Sequence, residues 1–309
     1  MKAILGKQMK VSVIVINFNS TDYTVNCVNS ILEKTQSKVE VVIVDNNSIE
    51  EERDKLSQWL EGTSNNIKYV ESKKNTGFSM GNMLGANVAS GEYLFFLNND
   101  CILLNSAIDE LVSFMDAHQD AGISGPKIFD GKGKYTPSFN YTPSVANKWL
   151  GSSICRLFNK DLYLPRRVEY KKPVAVQMIP GSAMFFRRKC FNLLGGLDTN
   201  FFLYCEEEDI SIRAKKSGYK VYHVPTAEIT HYFGSSTKRN IEIEKEFYIS
   251  FFYMLEKNYS FFSRNLIKLR YLIKEFFKLF KGKGSLALLW FLLKGPSLSQ
   301  SMRHRMEFR

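Results

Sequence analysis

The chain has 309 residues, 44% of them apolar and 24% charged, which allows a sizeable core and excludes a wholly disordered chain. The formal net charge is +11, and the segment Ser260 to Arg309 carries eleven Lys/Arg against two Glu, so most of the excess lies in the tail. A nearly neutral body with a basic tail suits nucleic acid or an anionic membrane as a partner and excludes little else. Cys27, Cys101, Cys155, Cys190 and Cys205 are odd in number and scattered, with no CxxC pair. They signal neither a zinc site nor a disulfide framework, and a reduced cytosolic setting is the simpler expectation. The opening MKAILGKQMK lacks the apolar core of a secretory signal. No uninterrupted apolar run approaches the ~20 residues of a membrane-spanning helix.

Val11–Ile16 is a β-branched run, as expected of a strand buried on both faces. A polar turn, Asn17 to Ser20, precedes a helix from Asp22 to Lys34, capped by Ser20 or Thr21. Val39–Val44 predicts a second strand that ends in Asp45-Asn46-Asn47, before a charged helix from about Glu50 to Leu60. Ile67–Glu71 is a third strand, and Gly77 to Ala89 predicts a helix behind a polar loop. Tyr93–Leu97 is the next strand, running into Asn98-Asn99-Asp100. This βαβαβ rhythm predicts a mostly parallel sheet with helices on both faces. Three strand ends, Asn17-Phe18-Asn19, Asp45-Asn46-Asn47 and Asn98-Asn99-Asp100, then lie along one edge, where ligands bind in such sheets.

From Gly131 to Lys172 the periodicity fades into Pro, Tyr, Lys and Ser, which predicts a long loop region. Val174–Ile179 and Ala183–Arg187 flank Pro180-Gly181-Ser182. The acidic block Glu206-Glu207-Glu208-Asp209 opens a short helix to about Lys216, stopped by Gly218. Tyr219–Val224 is a late strand, with His231 seven residues beyond it.

Seven stretches follow one another in a telling order: VSVIVINFNS, VVIVDNNS, KNTGFSMGNMLGA, GEYLFFLNND, PGSAMFFRR, GGLDTNFFLYCEEEDISIR and VPTAEITHYFGSST. In these the chain resembles the family 2 inverting glycosyltransferases of the GT-A fold, in particular the rhamnosyltransferase-like branch, over roughly Lys10 to Thr237. The resemblance implies an α/β catalytic domain over residues 1–237 and leaves 238–309 as a helical, basic extension. It implies that Asp45 accepts the N3–H of a uracil or thymine base, and a buried acceptor is suited to that imide donor. Asn17, Asn19, Asn75, Gly77 and Asn82 would lie with Asp45 beside the nucleotide, and bare N–H groups ahead of a helix suit a diphosphate. Asp100 is the expected ligand for Mg²⁺ or Mn²⁺, with His231 as an additional one. Many relatives carry Asp-x-Asp where this chain has Asn98-Asn99-Asp100, so Asn98 is expected on the ribose or sugar instead.

Glycosyl transfer needs a base near the acceptor hydroxyl. By position in the family pattern that base is Glu207, with Glu206 as the alternative and Asp209 orienting either Arg213 or the acceptor. Gly181 and Ser182 would border the donor sugar and acceptor. The implied reaction is transfer with inversion from a dTDP- or UDP-sugar, rhamnose from dTDP-rhamnose first among them, to a lipid-linked or polysaccharide hydroxyl. A UDP-hexose or UDP-HexNAc donor is the alternative, and a non-catalytic sugar-nucleotide-binding scaffold is the rival outside enzymes. A nucleotide-sugar pyrophosphorylase would want a Gly-rich loop where Asn17-Phe18-Asn19-Ser20 stands.

On a helical wheel, Phe261 to Lys281 places Phe262, Leu266, Leu269, Leu272, Ile273, Phe276, Phe277, Leu279 and Phe280 opposite Arg264, Lys268, Arg270, Lys274, Lys278 and Lys281. Only Ile267 and Tyr271 interrupt the cationic side. That pattern predicts a helix lying in a membrane interface, hence a peripheral protein at the cytoplasmic face of the cell membrane. Nucleic acid is disfavoured, because the aromatics do not interleave with the cations as a stacking platform requires.

Overall fold

The computed structural model describes residues 10–63, 66–232 and 240–308. The β-branched and aromatic runs become Val11–Asn17 (β1), Val39–Asp45 (β2), Ile67–Glu71 (β3) and Tyr93–Leu97 (β4), with Thr21–Lys34 (α1), Glu50–Glu61 (α2) and Gly77–Val88 (α3) between them. Cys101–Leu103 (β5) follows a turn, and Ala107–Ala117 (α4) leads into Ala121–Asp130 (β6) and Tyr135–Thr136 (β7). Val145–Trp149 (α5) and Ser152–Phe158 (α6) stand where the sequence predicts only loop. Val174–Val176 (β8), Ala183–Arg187 (β9), Arg188–Leu193 (α7), Glu206–Lys216 (α8) and Lys220–His231 (β10) complete the body. Ile241–Asn258 (α9), Phe261–Phe280 (α10) and Leu286–Lys294 (α11) form the C-terminal extension.

The sheet has the order β3-β2-β1-β4-β9-β6-β10-β5, with β7 on β6 and β8 on β10. β1 pairs in parallel with β2 and β4, so Asn17, Asp45 and the residues after Leu97 share one edge, as expected. β9 runs antiparallel to both β4 and β6, while β10 is parallel to β6. The end of β10 therefore returns to the edge where β4 ends. β10 is longer than the sequence predicts: His231 is its last residue and pairs with Cys101 of β5, beside Asp100.

Side chains alternate across the sheet with the period of two that a strand imposes. Val13, Phe95 and Phe185 pack on one face with Val28 and Ile31 of α1 and Leu111 of α4. Ile14, Phe96 and Phe186 pack on the other with Ala86 of α3 and Ile210 of α8. Burial on both faces explains why these strands read as unbroken apolar runs.

A third apolar cluster joins Phe201 and Cys205, just ahead of α8, to Phe251, Phe252 and Leu255 of α9, Ile267 of α10, and Leu288 and Leu292 of α11. The extension thus packs on the catalytic body. The boundary at residues 237 and 238 lies outside the described residues, as does the Gly234 to Thr237 stretch. All five cysteines are buried and free.

Candidate active site

The strand ends open onto a cleft of about 890 Å³. Among the residues predicted from the sequence, Asn75, Gly77, Asn82, Asn98, Asp100 and His231 line it. Phe18, Asn46, Phe202 to Tyr204, Asn240, Ile243, Met302 and Met306 also line it and were not predicted.

Asn46 organises the nucleotide side. Its Oδ1 accepts from the Thr76 N–H (2.9 Å) and hydroxyl (2.8 Å), and its Nδ2 donates to Asn75 Oδ1 and to the Gly77 carbonyl (both 3.1 Å). Asn75 Oδ1 in turn accepts from the Gly77 N–H (2.9 Å). These bonds fix the loop at the start of α3. Gly77 has φ +76°, and a Cβ there would lie 2.2 Å from the Phe202 carbonyl oxygen. Only glycine meets both demands. The reward is a tight junction: the Phe78 N–H donates to that carbonyl at 2.7 Å, tying the α3 loop to the segment before α8.

Asn17, Asn19 and Asp45 are not among the lining residues. Asn17 is fully buried: its Nδ2 donates to Asp45 Oδ1 (3.0 Å) and its Oδ1 accepts from Thr24 Oγ1 (2.8 Å). Asn19, at φ +51°, accepts from the Ile49 N–H (2.7 Å). Both brace the turn rather than line the cleft. Asp45 is also fully buried, its Oδ2 accepting from the Ser48 N–H (3.0 Å). The carboxylate keeps lone-pair capacity, yet it shows no surface, so a base can reach it only if this turn shifts.

Asp100 sits on the turn between β4 and β5, and β10 carries His231 to it. His231 Nε2 lies 3.1 Å from Asp100 Oδ1. That oxygen is buried and, among the described residues, accepts no hydrogen bond of good geometry. An unsatisfied buried carboxylate oxygen beside an imidazole fits a divalent cation that also takes diphosphate oxygens. The Cys101 sulfur completes a cluster within 4.8 Å. Burial and the neighbouring Asp100 push its thiol well above its ordinary pKa, and it donates to the Ser182 carbonyl (3.6 Å). Mg²⁺ and Mn²⁺ favour oxygen and imidazole donors over sulfur, so Asp100 and His231 are the residues that could hold such an ion, with Cys101 beside them.

The acidic run opens α8 behind two left-handed residues, Tyr204 (φ +74°) and Cys205 (φ +67°). Strain of this kind in non-glycine residues persists where surrounding packing enforces it. Here Phe201 and Cys205 are pinned in the third cluster. Glu206 is buried and Glu207 and Glu208 are half-buried, each with one carboxylate oxygen lacking a hydrogen-bond partner. Burial pushes all three carboxyls up, Glu206 and Glu208 well up, and repulsion from Glu207 adds to this at those two. Glu207 is held back by its own backbone N–H, by a hydrogen bond shared with Glu208, and by the N–H groups of Cys205 and Gly181. These donors suit Glu207 to carry the charge a base must carry.

Gly181 and Ser182 do border this cluster. A Cβ on Gly181 would lie 3.6 Å from Glu206 Oε1 and 3.8 Å from Glu207 Cδ, ordinary contacts, so glycine is not required there. The Ser182 carbonyl accepts from the Asn98 N–H at 2.9 Å, joining this turn to the metal-side turn. Asp209 is fully buried and held by Arg213 (2.8 Å), Lys257 (3.1 Å) and Asn258 (2.9 Å). It orients Arg213 and clamps α8 to α9. Its partners here are all from the protein, and it is not among the cleft-lining residues.

A family model described as Glycosyl transferase family 2 matches residues 12–193. The chain is 28% identical over 185 residues to an N-acetylglucosaminyl-diphospho-decaprenol L-rhamnosyltransferase of Mycobacterium tuberculosis, a match covering 58% of this chain and 60% of the relative. It is 26% identical to rhamnosyltransferase WbbL of Escherichia coli, over 47% of this chain and 53% of the relative. The chain therefore spans only about half to three-fifths of these relatives. Among solved structures, GalNAc-T7 with UDP, GalNAc and Mn²⁺ superposes with a TM-score of 0.62 at 17% identity, covering 81% of this chain and 48% of that one. That likeness concerns the fold alone, and it agrees with the GT-A architecture expected from the sequence. With more than half of its length matched by the family model, and with that family's motifs gathered at one sheet edge, the chain belongs to glycosyl transferase family 2.

Proposed function

We propose that the chain transfers a sugar with inversion from a pyrimidine nucleotide sugar, rhamnose from dTDP-rhamnose foremost, to a hydroxyl of a lipid-linked saccharide during cell-surface polysaccharide synthesis. The observation that carries this reading is one segment with two duties. Phe202 to Tyr204 line the donor cleft, and the same segment runs straight into Glu206 to Glu208. Donor and base are thereby set by a single, strained piece of backbone. The relatives named as rhamnosyltransferases, one of them on a decaprenyl-diphosphate-linked sugar, support the donor and the acceptor class.

In the transfer step Glu207 accepts the proton of the acceptor hydroxyl while its oxygen bonds to the anomeric carbon. The bond from that carbon to the diphosphate oxygen breaks, and the nucleoside diphosphate leaves with the electron pair. Asp100 and His231 would hold Mg²⁺ or Mn²⁺, which when bound supplies positive charge to the diphosphate. Asn46, Asn75 and Gly77 hold the loop beside the nucleotide, and Glu208 shares a proton with Glu207 that keeps its carboxylate oriented. A UDP-hexose or UDP-HexNAc donor is the second reading, since uracil and thymine offer a base-binding carboxylate the same imide N–H. The exposed aromatic side of α10, with Trp290 on α11, supports peripheral attachment to the cytoplasmic face of the membrane.

The test is a transfer assay on a polyprenyl-diphosphate-linked saccharide with dTDP-rhamnose, UDP-GlcNAc, UDP-galactose and GDP-mannose, with and without Mn²⁺. Product from dTDP-rhamnose alone is expected. Product from a UDP-sugar instead moves the assignment to the second reading. Stabilisation of the protein by a donor without any transfer would sink the enzymatic one.

A further inference from the structure

The segment that follows Tyr141 was expected to be loop, yet it is well built. Ser144 caps α5 with a reciprocal pair: its hydroxyl accepts from the Asn147 N–H (3.1 Å), and Asn147 Oδ1 accepts from the Ser144 N–H (3.1 Å). Asn147 Nδ2 donates to the Thr142 carbonyl (2.9 Å), and Arg156 Nε to the Tyr163 carbonyl (2.7 Å). This polar scaffold holds five large apolar side chains outward. Trp149, Leu150 and Ile154 are exposed, and Leu157 and Phe158 are 76% and 84% exposed. An exposed apolar group on so firmly hydrogen-bonded a frame marks a surface that something covers.

Three observations say what covers it. The patch is continuous with the apolar side of α10, because Trp149 Nε1 donates to the Leu266 carbonyl at 3.1 Å, and Phe261, Phe262 and Leu266 of α10 are exposed beside it. Residues 145 to 172 carry seven Lys/Arg against two acids, a second basic segment next to the basic tail. A second copy of the chain would set these positive surfaces against each other, whereas anionic headgroups complement them. Finally, Lys148, the neighbour of Trp149, lies over the rings of Phe251 and Tyr271 (5.9 and 5.6 Å), and Phe251 packs with Val145 and with Cys205, the residue just before Glu206. α5 therefore adjoins the segment that leads into the acid cluster.

We propose that α5 and α6 form a second docking element that inserts into an anionic lipid surface beside the start of α10. The surface is thereby brought next to Glu207, where an acceptor carried in the lipid is received. This rests on the attachment of α10 and α11 to a membrane, and it adds a contact on the acceptor side of the site.

The chain has three tryptophans, Trp59, Trp149 and Trp290, which allows the two contacts to be read apart. One protein keeps Trp149 alone (Trp59→Phe, Trp290→Phe) and another keeps Trp290 alone (Trp59→Phe, Trp149→Phe). Each is mixed with phosphatidylglycerol/phosphatidylethanolamine vesicles bearing brominated or ordinary tails, and flotation is measured in parallel. Bromine quenching of both tryptophans is expected. The surface variant Leu157→Asp/Phe158→Asp, which alters only exposed positions, should keep its melting temperature. It should lower vesicle partition by about tenfold or more and remove the quenching of Trp149.

Quenching of Trp290 without Trp149 overturns the α5–α6 element and leaves the α10–α11 attachment standing. Quenching of Trp149 alone does the reverse. No flotation and no quenching overturns both. If Trp149 is instead shielded in vesicle-free solution as the mass doubles with concentration, a second copy covers the patch and the lipid proposal is overturned.

Discussion

At the scale of single residues, the chemistry turns on which carboxyl of the acidic run gives up its proton. Burial raises all three, and each has a backbone N–H on its charged form, but Glu207 gathers the most, adding those of Cys205 and Gly181 to its own. Glu207→Gln is expected to lower kcat by about 10²- to 10⁴-fold with donor affinity nearly unchanged, read by single-turnover transfer and donor titration. Near-normal turnover would hand the role to Glu206. Because the base must be ionised and its pKa is raised, the acidic limb of the kcat–pH profile should lie above the ordinary carboxylate range. Stability has the opposite sign. A carboxyl raised in the folded state stabilises it fully below the unfolded pKa, and that contribution is lost as pH rises through the folded pKa. Glu206→Gln should therefore raise the melting temperature at pH 8 and change it little at pH 4, a difference that thermal scans would show. These residues were legible in the sequence because four consecutive acids after an aromatic run have few structural uses. Asn46 was not legible, since its value lies in reaching Thr76 and Gly77, thirty residues on.

The same contrast holds for whole elements. β1, β2 and β4 were readable because strands buried on both faces are almost wholly apolar, and the two polar interruptions, Ser12 and Glu40, pair with each other. The long β10 was read short, as Pro225 and the register shift between Val224 and Glu228 hide its continuation to His231. The wheel of α10 separates the exposed aromatics from the cations but does not show which residues pack. Ile267 and Tyr271, the apparent blemishes on the cationic side, and Leu272 from the apolar side seat the helix on the cluster that holds Phe251 and Phe252. The side with Phe262, Phe277 and Phe280 is consequently left exposed. Between elements, the clamp on Asp209 matters most. Asp209→Ala leaves the Lys257 ammonium and the Arg213 guanidinium without their shared partner, at a cost of about 2–4 kcal/mol. With roughly 2 °C per kcal/mol for a chain of this size, the melting temperature should drop by about 4–8 °C. A variant that melts with the parent would show that α8 and α9 are held by the apolar cluster alone. Gly77→Ala should be worse still, because both its φ and its Cβ are refused.

Across the whole molecule, the chain closes on itself in a way that no local pattern announces. After α11 it returns to the sheet edge, where Met302 and Met306 line the cleft and Phe308 covers the Lys74 ammonium at 4.6 Å. A buried acid of α9 holds this return: Glu246 accepts from the Ser301 hydroxyl (2.7 Å) and from the Met302 N–H (2.8 Å). Sequence could not reveal it, because Glu246 lies 55 residues from its partner and has no motif. The extension is thereby part of the cleft wall. Glu246→Ala removes both bonds and frees Met302 and Met306 from the cleft wall. Two hydrogen bonds to a charged acceptor are worth about 1.5–3 kcal/mol each, of which only the part spent on ordering the cleft reaches the donor. Donor KM should therefore rise by about 3- to 30-fold while kcat changes less. Steady-state kinetics with the donor varied at saturating acceptor separate the two. If kcat falls and KM holds, the return segment is acting on the acid cluster and the assignment of Met302 and Met306 to donor binding is wrong.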